Sequence, residues 1–267
     1  MSIAFVSSMN MQLYQYYGKR FLDEFKNAAS PKIKLFIIFE GEIPTEVLSL
    51  SENIIFLPLM STEHDQFLKY FGNLLEPKGF RTRLFIENGE EKINISPNYK
   101  FNAIRFSFKP FSIHQVLKYL PDNVDKLIWT DSDLRCKKEF VTESLVNFLP
   151  NHNELMSYLG RKNNYSECGF LGFNIHHSKF NEYIERIINI YKSGEIFSLE
   201  EWHDSWIWDH ARKEFENEQK IKFKNISGRG FEYEHPFINS GLEEFFDHLK
   251  GPERKNKGTS FDKDFKI

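Results

Sequence analysis

Short apolar segments alternate with amphipathic segments in the first half of the chain. Four apolar runs have the length of a β-strand: residues 3–6, 34–39, 53–57 and 126–130. Three segments space their apolar side chains as an α-helix does: residues 11–29, 64–75 and 105–120, the last interrupted near Pro110. Strands that alternate with helices pair in parallel, so the sequence predicts an α/β layered fold.

The second half is less regular. It predicts helices at 137–149, 179–192 and from about residue 200, strands at 154–159 and 169–174, and a helix-like segment at 242–247. Residues 76–98 contain Pro77, Gly79, Gly89 and Pro97, and we expect an irregular excursion there. With 267 residues we expect one domain over 1–267, with a nucleotide-binding half (1–135) and an acceptor half that carries a C-terminal metal- and diphosphate-binding tail (136–267).

Charge and cysteine content exclude several classes of protein. The formal net charge is −3, so the molecule as a whole has no field that would gather nucleic acid or anionic lipid. Two cysteines are too few for a stapled secreted fold. The first residues lack a basic start, and no apolar run reaches the roughly 18 residues of a membrane span. We expect a cytoplasmic protein, with peripheral association to the inner face of a membrane as the only membrane contact.

Asp131-Ser132-Asp133 directly follows the apolar run 126–130. Alternate residues of an extended segment point to the same side, so Asp131 and Asp133 can reach one divalent cation together. Ligands of open α/β sheets bind outside the carboxyl ends of strands, which is where this pair is predicted to lie.

A second motif lies near the carboxyl end of the sequence. His248 is followed by Gly251 and then by Arg254 and Lys255. An imidazole can join two carboxylates on Mn²⁺ or Mg²⁺, glycine lets the backbone approach phosphate oxygens, and basic side chains neutralise a diphosphate.

Together these motifs resemble those of GT-A type glycosyltransferases that use nucleotide-diphospho-sugars, and they are most similar to glycosyltransferase family 8. The resemblance implies a Rossmann-like mixed sheet flanked by helices, with a C-terminal extension that closes the donor site. It implies a metal site of Asp131, Asp133 and His248, with Ser132, Gly251, Arg254 and Lys255 binding the donor. It also implies transfer from a UDP-sugar, with retention of anomeric configuration.

The resemblance extends to two approximate motifs in the middle of the chain. Glu167 and Asn174 belong to a glycine-containing segment similar to the family's donor-sugar stretch, although packing would equally explain its glycines. Asp204 corresponds to the family's Asp-Gln-Asp motif, with Ser205 in place of Gln. Asp204 and Glu167 are therefore the predicted catalytic residues, which orient the sugar or stabilise oxocarbenium-like charge.

Four further residues are predicted donor contacts. Arg105 and Lys109 lie four residues apart before the Asp-bearing strand and can point into one crevice. Ser7 and Ser8 end the first apolar run, where the nucleotide base and ribose lie in the family.

Three other functions and several acceptors remain open. His203-Asp204 is the dipeptide of HD-type metal phosphohydrolases, a sugar-nucleotidyltransferase would share the fold, and so would a non-catalytic nucleotide-sugar- or carbohydrate-binding protein. The acceptor hydroxyl could belong to a glycan, a lipid-linked glycan, a protein or a hydroxylated DNA base. DNA would need a local basic patch, to which Lys250 and Lys257 could contribute.

Overall fold

A mixed seven-stranded sheet with helices on both faces forms the centre of the molecule. These features come from a computed structural model, which describes residues 1–47 and 50–265. The order of strands across the sheet is β10-β8-β9-β6-β1-β2-β3. The described strands are β1 (Ile3–Asn10), β2 (Lys34–Glu40), β3 (Ile54–Pro58), β4 (Phe80–Glu87), β5 (Glu90–Pro97), β6 (Lys126–Thr130), β7 (Leu134–Cys136), β8 (Glu154–Arg161), β9 (Asn164–Asn174), β10 (Lys222–Asn225) and β11 (Phe246–His248).

The alternating first half pairs in parallel, as its sequence predicts. β1 pairs in parallel with β2 and with β6, and β2 pairs in parallel with β3. β9 is antiparallel to both β6 and β8, which makes the sheet mixed. The predicted α/β class with a mixed, helix-flanked sheet is confirmed.

Helices cover both faces of this sheet. The described α-helices are α1 (Met11–Leu13), α2 (Lys19–Ala28), α3 (Thr62–Phe71), α4 (Ala103–Val116), α5 (Thr142–Leu145), α6 (Phe180–Lys192), α7 (Asp204–Glu218) and α8 (Gly251–Lys257). A π-helical turn, Tyr14–Gly18, joins α1 to α2. None of the described helices is long and apolar enough to cross a bilayer.

Each face of the sheet has its own hydrophobic core. One core packs α3, α4, α6 and α7 against the sheet through side chains such as Phe111, Ile187 and Trp208. The other packs α2, α5 and the C-terminal segment through Phe25, Phe140 and Phe246, whose rings contact one another. The C-terminal segment is therefore part of the core that supports β1 and β6.

The predicted irregular excursion at 76–98 is wrong, because β4 and β5 form a regular antiparallel hairpin. Its turn is Asn88-Gly89, and both residues have positive φ, 55° and 82°. Asn-Gly is the strongest two-residue signal for a type I′ hairpin turn. The alternation on either side of it was obscured by the surrounding prolines and glycines.

Two predicted helices are also wrong. Residues 242–247 form a short 3₁₀ turn and then β11, because Phe246 to His248 pair with β7. Residues 137–149 contain only α5 and one 3₁₀ turn.

Pro110 lies inside α4 without interrupting it. A proline lacks the N–H that would bond the carbonyl four residues earlier, which here belongs to Phe106. The hydroxyl of Tyr191 donates to that Phe106 oxygen at 3.4 Å. A tertiary hydrogen bond thus replaces the missing helical one.

Candidate functional site

A cleft of about 480 Å³ opens where β1, β2 and β6 end. These strands are parallel, so their carboxyl ends meet at one edge of the sheet, where ligands of such folds bind. Its volume lies within the roughly 300–1,000 Å³ of small-molecule sites. The lining is Ser8, Asn10, Gln12, Leu13, Tyr17, Glu40, Arg105, Phe106, Phe108, Lys109, Trp129, Asp131, Ser132, Asp133, Asp204 and Lys255.

Asp131, Asp133 and His248 converge at the floor of this cleft. The two aspartates follow β6, and β11 pairs with β7 in a register that sets His248 opposite Leu134. His248 Nε2 lies 3.3 Å from Asp133 Oδ1 and 3.7 Å from Asp131 Oδ2. One ligand atom from each residue lies within 4.8 Å of the others. The structure thus brings together the three residues predicted as metal ligands.

The chemistry of this cluster fits a hard divalent cation. Asp133 Oδ1 is buried and has no hydrogen-bond partner among the described residues. Burial alone would raise the pKa of Asp133, but His248 and Lys255 outweigh it and hold this pKa well below its usual value. Burial would lower the pKa of His248, yet the Asp133 carboxylate raises that pKa to about 10. Two carboxylate oxygens and one imidazole nitrogen are therefore directed at a position that favours positive charge.

Lys109 is a buried cation between two carboxylates. Its Nζ lies 3.0 Å from Asp131 Oδ1, and it donates to Asp204 Oδ2 at 2.5 Å and to the Cys168 carbonyl at 2.8 Å. Burial opposes its charge, but Asp131 and Asp204 raise the pKa of Lys109. Lys109 in turn lowers the pKa of Asp204 against the effect of burial. Lys109 thus keeps Asp204 ionised at the cleft wall.

Two more cations border the cleft. Lys255 Nζ, on α8, lies 2.6 Å from Asp133 Oδ2 and 5.0 Å from the ring centroid of Tyr17. Arg105 is exposed and lies one helical turn before Lys109 on α4. Arg105, Lys109 and Lys255 therefore approach the cluster of Asp131, Asp133 and His248 from two different helices.

Glu167 is behind His248 and does not line the cleft. It is 2% exposed, and its Oε1 accepts from His248 Nδ1 at 2.6 Å. Lys250 Nζ lies 2.9 Å from its other oxygen, and His235 Nδ1 lies 3.2 Å from the same atom. The structure thus places Glu167, predicted to orient the sugar or to stabilise oxocarbenium-like charge, behind His248 and not in the cleft wall. Glu167 instead orients His248. Glu167, His235 and His248 lie close enough to hold a second ion, but Lys250 already neutralises the Glu167 carboxylate that such an ion would need.

Four predicted donor contacts also lie outside the cleft. Ser7 is fully buried and points to the opposite side of β1 from Ser8, which does line the cleft. Asn174 pairs with Lys126 at the far end of β6 and donates to the carbonyls of residues 151, 152 and 154. Arg254 is bound to Asp264 in a neighbouring pocket, and Gly251 is exposed at the start of α8.

Sequence reasoning missed Asn10, Tyr17, Glu40 and Trp129. Asn10 and Glu40 are the last residues of the parallel strands β1 and β2, so the rule that located Asp131 would also have found them. Trp129 Nε1 donates to Asp131 Oδ1 at 2.8 Å, which fixes that carboxylate. Burial raises the pKa of Glu40 to about 7, although Ser8 and Asn10 donate hydrogen bonds to it.

Glu40→Gln should stabilise the protein at alkaline pH and have little effect at acidic pH. A carboxyl group whose pKa is raised by folding binds its proton more tightly in the folded chain, so wild-type stability falls as pH rises from about 4.5 to about 7. The glutamine amide of the variant does not ionise, so the variant does not lose this stability as the pH rises. We expect urea unfolding at pH 8.5 to give a gain of about 1–2 kcal/mol, reduced for partial exposure, and no gain at pH 4.5. A gain that is the same at both pH values would contradict the raised pKa.

No protein-family model matches this sequence, and no curated protein sequence is significantly similar to it. Solved structures with a similar fold include WbbM, a bifunctional glycosyltransferase in its apo form, with a TM-score of 0.50 and 12% identity. That alignment covers 94% of this chain and 46% of the WbbM chain, so this chain spans about half the length of WbbM.

Two other similar structures have smaller TM-scores. A glycosyltransferase involved in glycosylation of the major capsid of PBCV-1 has a TM-score of 0.49 at 10% identity, covering 96% of this chain and 98% of that chain. Mouse xyloside xylosyltransferase 1 has a TM-score of 0.47 at 12% identity, covering 84% and 85%. At 12% identity, the similarity to WbbM is a similarity of fold.

Proposed function

We propose that this protein is a GT-A type glycosyltransferase, most similar to family 8, that moves a sugar from a UDP-sugar to a hydroxyl acceptor with retention of configuration and with Mn²⁺ or Mg²⁺. The observation that carries the proposal is the convergence of Asp131, Asp133 and His248 in a cleft at the carboxyl ends of β1, β2 and β6. The glycosyltransferase-type fold supports it.

A donor diphosphate would lie between the acidic cluster and the basic side chains. A divalent cation held by Asp131, Asp133 and His248 would neutralise charge on the departing nucleotide diphosphate. Lys255 and Arg105 stand at the cleft wall with nitrogen donors for the remaining phosphate oxygens. The base and ribose would then lie toward Ser8, Asn10 and Glu40, at the ends of β1 and β2.

Asp204 is the carboxylate positioned to stabilise positive charge on the transferred sugar. It lies on the same cleft wall as Lys109 and begins α7, and its neighbour Lys109 keeps it ionised. A fixed negative charge beside the anomeric carbon lowers the energy of an oxocarbenium-like transition state. The acceptor hydroxyl would approach across the remaining open side of the cleft.

The geometry argues against the phosphohydrolase alternative. His203 is the N-cap of α7, where its Nδ1 accepts from the Trp206 amide at 3.4 Å and its Nε2 lies 2.8 Å from Glu201. Both ring nitrogens of His203 are therefore engaged away from Asp131 and Asp133. A sugar-nucleotidyltransferase would have a glycine-rich loop after its first strand. In this chain residues 7–10 contain no glycine and continue β1 as a strand.

A donor screen tests the proposal directly. We expect one nucleotide sugar, a UDP-sugar, to release its nucleotide slowly by hydrolysis in the presence of Mn²⁺, with loss of release after chelation. Binding of a donor without release, with or without candidate acceptors, would favour the non-catalytic alternative. Failure of every UDP-, GDP-, ADP- and CMP-linked sugar to bind would overturn the proposal.

Glu167→Gln should weaken Mn²⁺ binding by roughly 10–100-fold, the usual cost of losing the partner that orients a metal-bound histidine. The amide keeps the shape of Glu167 but offers His248 Nδ1 a weaker acceptor and allows the ring to turn. Calorimetric titration with Mn²⁺ measures the effect without turnover. The matched control is Glu154→Gln, a partly buried glutamate at the start of β8, far from the cleft. Equal Mn²⁺ affinity of wild type and Glu167→Gln would show that His248 is not a ligand or does not need Glu167.

A further inference from the structure

A second cavity, the β8–β9 pocket, opens at the same edge of the sheet as the cleft. β8 and β6 are both antiparallel to β9, so they run in the same direction and their carboxyl ends meet the same edge. The pocket has a volume of about 670 Å³, which lies within the range of small-molecule sites. Its lining includes the turn between β8 and β9, residues 160–166, and Asp209, Arg212 and Lys213 of α7.

The pocket and the cleft share two elements, β9 and α7. On β9, Ser166 lines the pocket, and two residues later the carbonyl of Cys168 accepts from Lys109 of the cleft wall at 2.8 Å. On α7, Asp209 lines the pocket and Asp204 lines the cleft. Two strand residues span roughly 7 Å, and five helical residues span roughly 7.5 Å. The pocket therefore begins close to the carboxylate that faces the transferred sugar.

The charged side chains of the pocket have a surplus of positive charge. Its described acid, Asp209, is already bound, because it accepts from the amide and the hydroxyl of Ser166 at 2.9 and 2.6 Å and from Arg212 at 3.1 Å. Three of the five lining cations have carboxylate partners: Lys100 with Glu201, Lys162 with Glu232, and Arg212 with Asp209 and Glu216. Arg161 and Lys213 form no ion pair within residues 1–47 and 50–265. A ligand in the pocket therefore meets two cations that no described carboxylate neutralises.

Backbone carbonyls hold Arg161 in place without cancelling its charge. Its Nη1 donates to the Glu234 carbonyl at 3.1 Å, its Nη2 donates to the Ser166 carbonyl at 3.4 Å, and its Nε donates to the Tyr165 carbonyl. A guanidinium group has five N–H donors, so two remain for a ligand. Because the group is already fixed, it loses little conformational freedom when it binds phosphate or carboxylate oxygens.

Aromatic and amide side chains complete the pocket. Phe231 is 37% exposed and Tyr165 is partly exposed, so both supply aromatic surface on which a sugar ring can stack. Asn163 is exposed in the turn between β8 and β9, and its amide can both donate to and accept from hydroxyl groups. Surface for a sugar ring and donors for a negative charge thus lie in one cavity.

We propose that the β8–β9 pocket binds the acceptor, and that this acceptor is a saccharide bearing a phosphate or carboxylate group, which Arg161 and Lys213 bind. The inference rests on the proposed transferase function. The acceptor hydroxyl reaches the cleft beside Asp204, where its oxygen bonds to the anomeric carbon of the donor as the bond from that carbon to the diphosphate breaks. The bonding electrons leave with the diphosphate, which also takes up the proton of the hydroxyl.

Other occupants match the pocket less well. A nucleic acid carries a phosphate at every nucleotide and needs a row of cations along its backbone, whereas three of the five cations here are already paired. A neutral saccharide would gain less from Arg161 and Lys213 than an anionic one, because hydrogen bonds between two charged groups are stronger.

NMR titration of the full chain, without donor or metal, tests the pocket with glucose 6-phosphate, glucuronate and glucose. We expect both anionic sugars to bind roughly fivefold more tightly than glucose, and to shift the amide signals of residues 160–166 and 209–213. A preference for one anionic sugar identifies the group that the pocket binds. Equal affinities for all three sugars, no binding of either anion, or shifts confined to the neighbourhood of Asp131 and Asp133 would overturn the proposal.

Lys213→Glu should abolish the preference for anionic sugars. Lys213 is exposed and forms no described ion pair, so the substitution should leave the fold intact. The matched control is Lys222→Glu, which makes the same change at an exposed lysine of β10 outside the pocket. Equal losses in the two variants would show an effect of net charge alone and contradict the assignment.

These titrations use no donor, so they separate this inference from the proposed function. Nucleotide release in the donor screen, together with no preference for anionic sugars, would refute the pocket and leave the transferase. Binding of anionic sugars without nucleotide release from any donor would refute the transferase, and with it the role of the pocket as an acceptor site.

Discussion

Asp133→Ala should lower Mn²⁺-dependent nucleotide release by about a thousandfold or more. A bound cation supplies several kcal/mol of charge stabilisation to the leaving diphosphate, and each 1.36 kcal/mol is a factor of ten in rate. Asp133 lies between His248 and Lys255, with Oδ1 3.3 Å from His248 Nε2 and Oδ2 2.6 Å from Lys255 Nζ, so its loss removes a ligand and leaves two cations facing each other. Nucleotide release and Mn²⁺ titration should both show the defect.

Asp122→Ala is the matched control for that experiment. Asp122 is exposed in the turn before β6, so the same substitution removes a carboxylate close in sequence without touching the cleft. Wild-type Mn²⁺ affinity in Asp133→Ala would place the metal elsewhere. Full turnover in that variant with an intact fold would remove the cluster from the reaction altogether.

Lys109→Met should destabilise the folded protein by about 3–5 kcal/mol, the usual cost of leaving a buried charge without its partner. Lys109 is enclosed, and both Asp131 and Asp204 depend on it for neutralisation. For a chain of this size, that loss corresponds to a fall in melting temperature of roughly 10 °C. Activity should be lost as well, because Asp204 would take up a proton or move.

A second substitution separates the two effects of Lys109. Adding Asp204→Asn to Lys109→Met removes one of the two carboxylates that Lys109 no longer neutralises. The double variant should recover part of the stability, but not activity. Lys100→Met is the control, since the Lys100–Glu201 pair is more exposed and such pairs contribute about 0–1 kcal/mol. Similar losses in Lys100→Met and Lys109→Met would show that burial of Lys109 carries no special cost.

The position of Asp131 and Asp133 was predictable because it depends only on where a buried strand ends. The alternation of apolar and amphipathic segments identified β1, β2, β3 and β6, and parallel strands place their carboxyl ends together. Motif spacing predicted His248 as a metal ligand, although the segment before it was expected to be helical. It lies on β11, which forms only because β7 offers an edge to pair with.

Asn174 and Arg254 were misplaced because the spacing of residues in a sequence does not reveal the direction in which a strand runs or a side chain points. Asn174 ends a strand, but β9 is antiparallel to β6, so its end lies at the opposite edge of the sheet from Asp131. Arg254 and Lys255 are neighbours on α8, and successive helical residues point roughly 100° apart. Lys255 therefore reaches Asp133 while Arg254 reaches Asp264.

Pairing of β11 with β7 also links two events that are far apart along the chain. Asp131 and Asp133 belong to the parallel half of the sheet, whereas His248 arrives only when the C-terminal segment has docked on the core formed by Phe140 and Phe246. A ligand that binds all three side chains contacts His248 only when the C-terminal segment is docked. Such a ligand therefore stabilises the docked state by the free energy of its contact with His248. Cleft occupancy and docking of the C-terminal segment are thus one coupled equilibrium, and a substitution in the β7–β11 core can weaken ligand binding without touching the cleft.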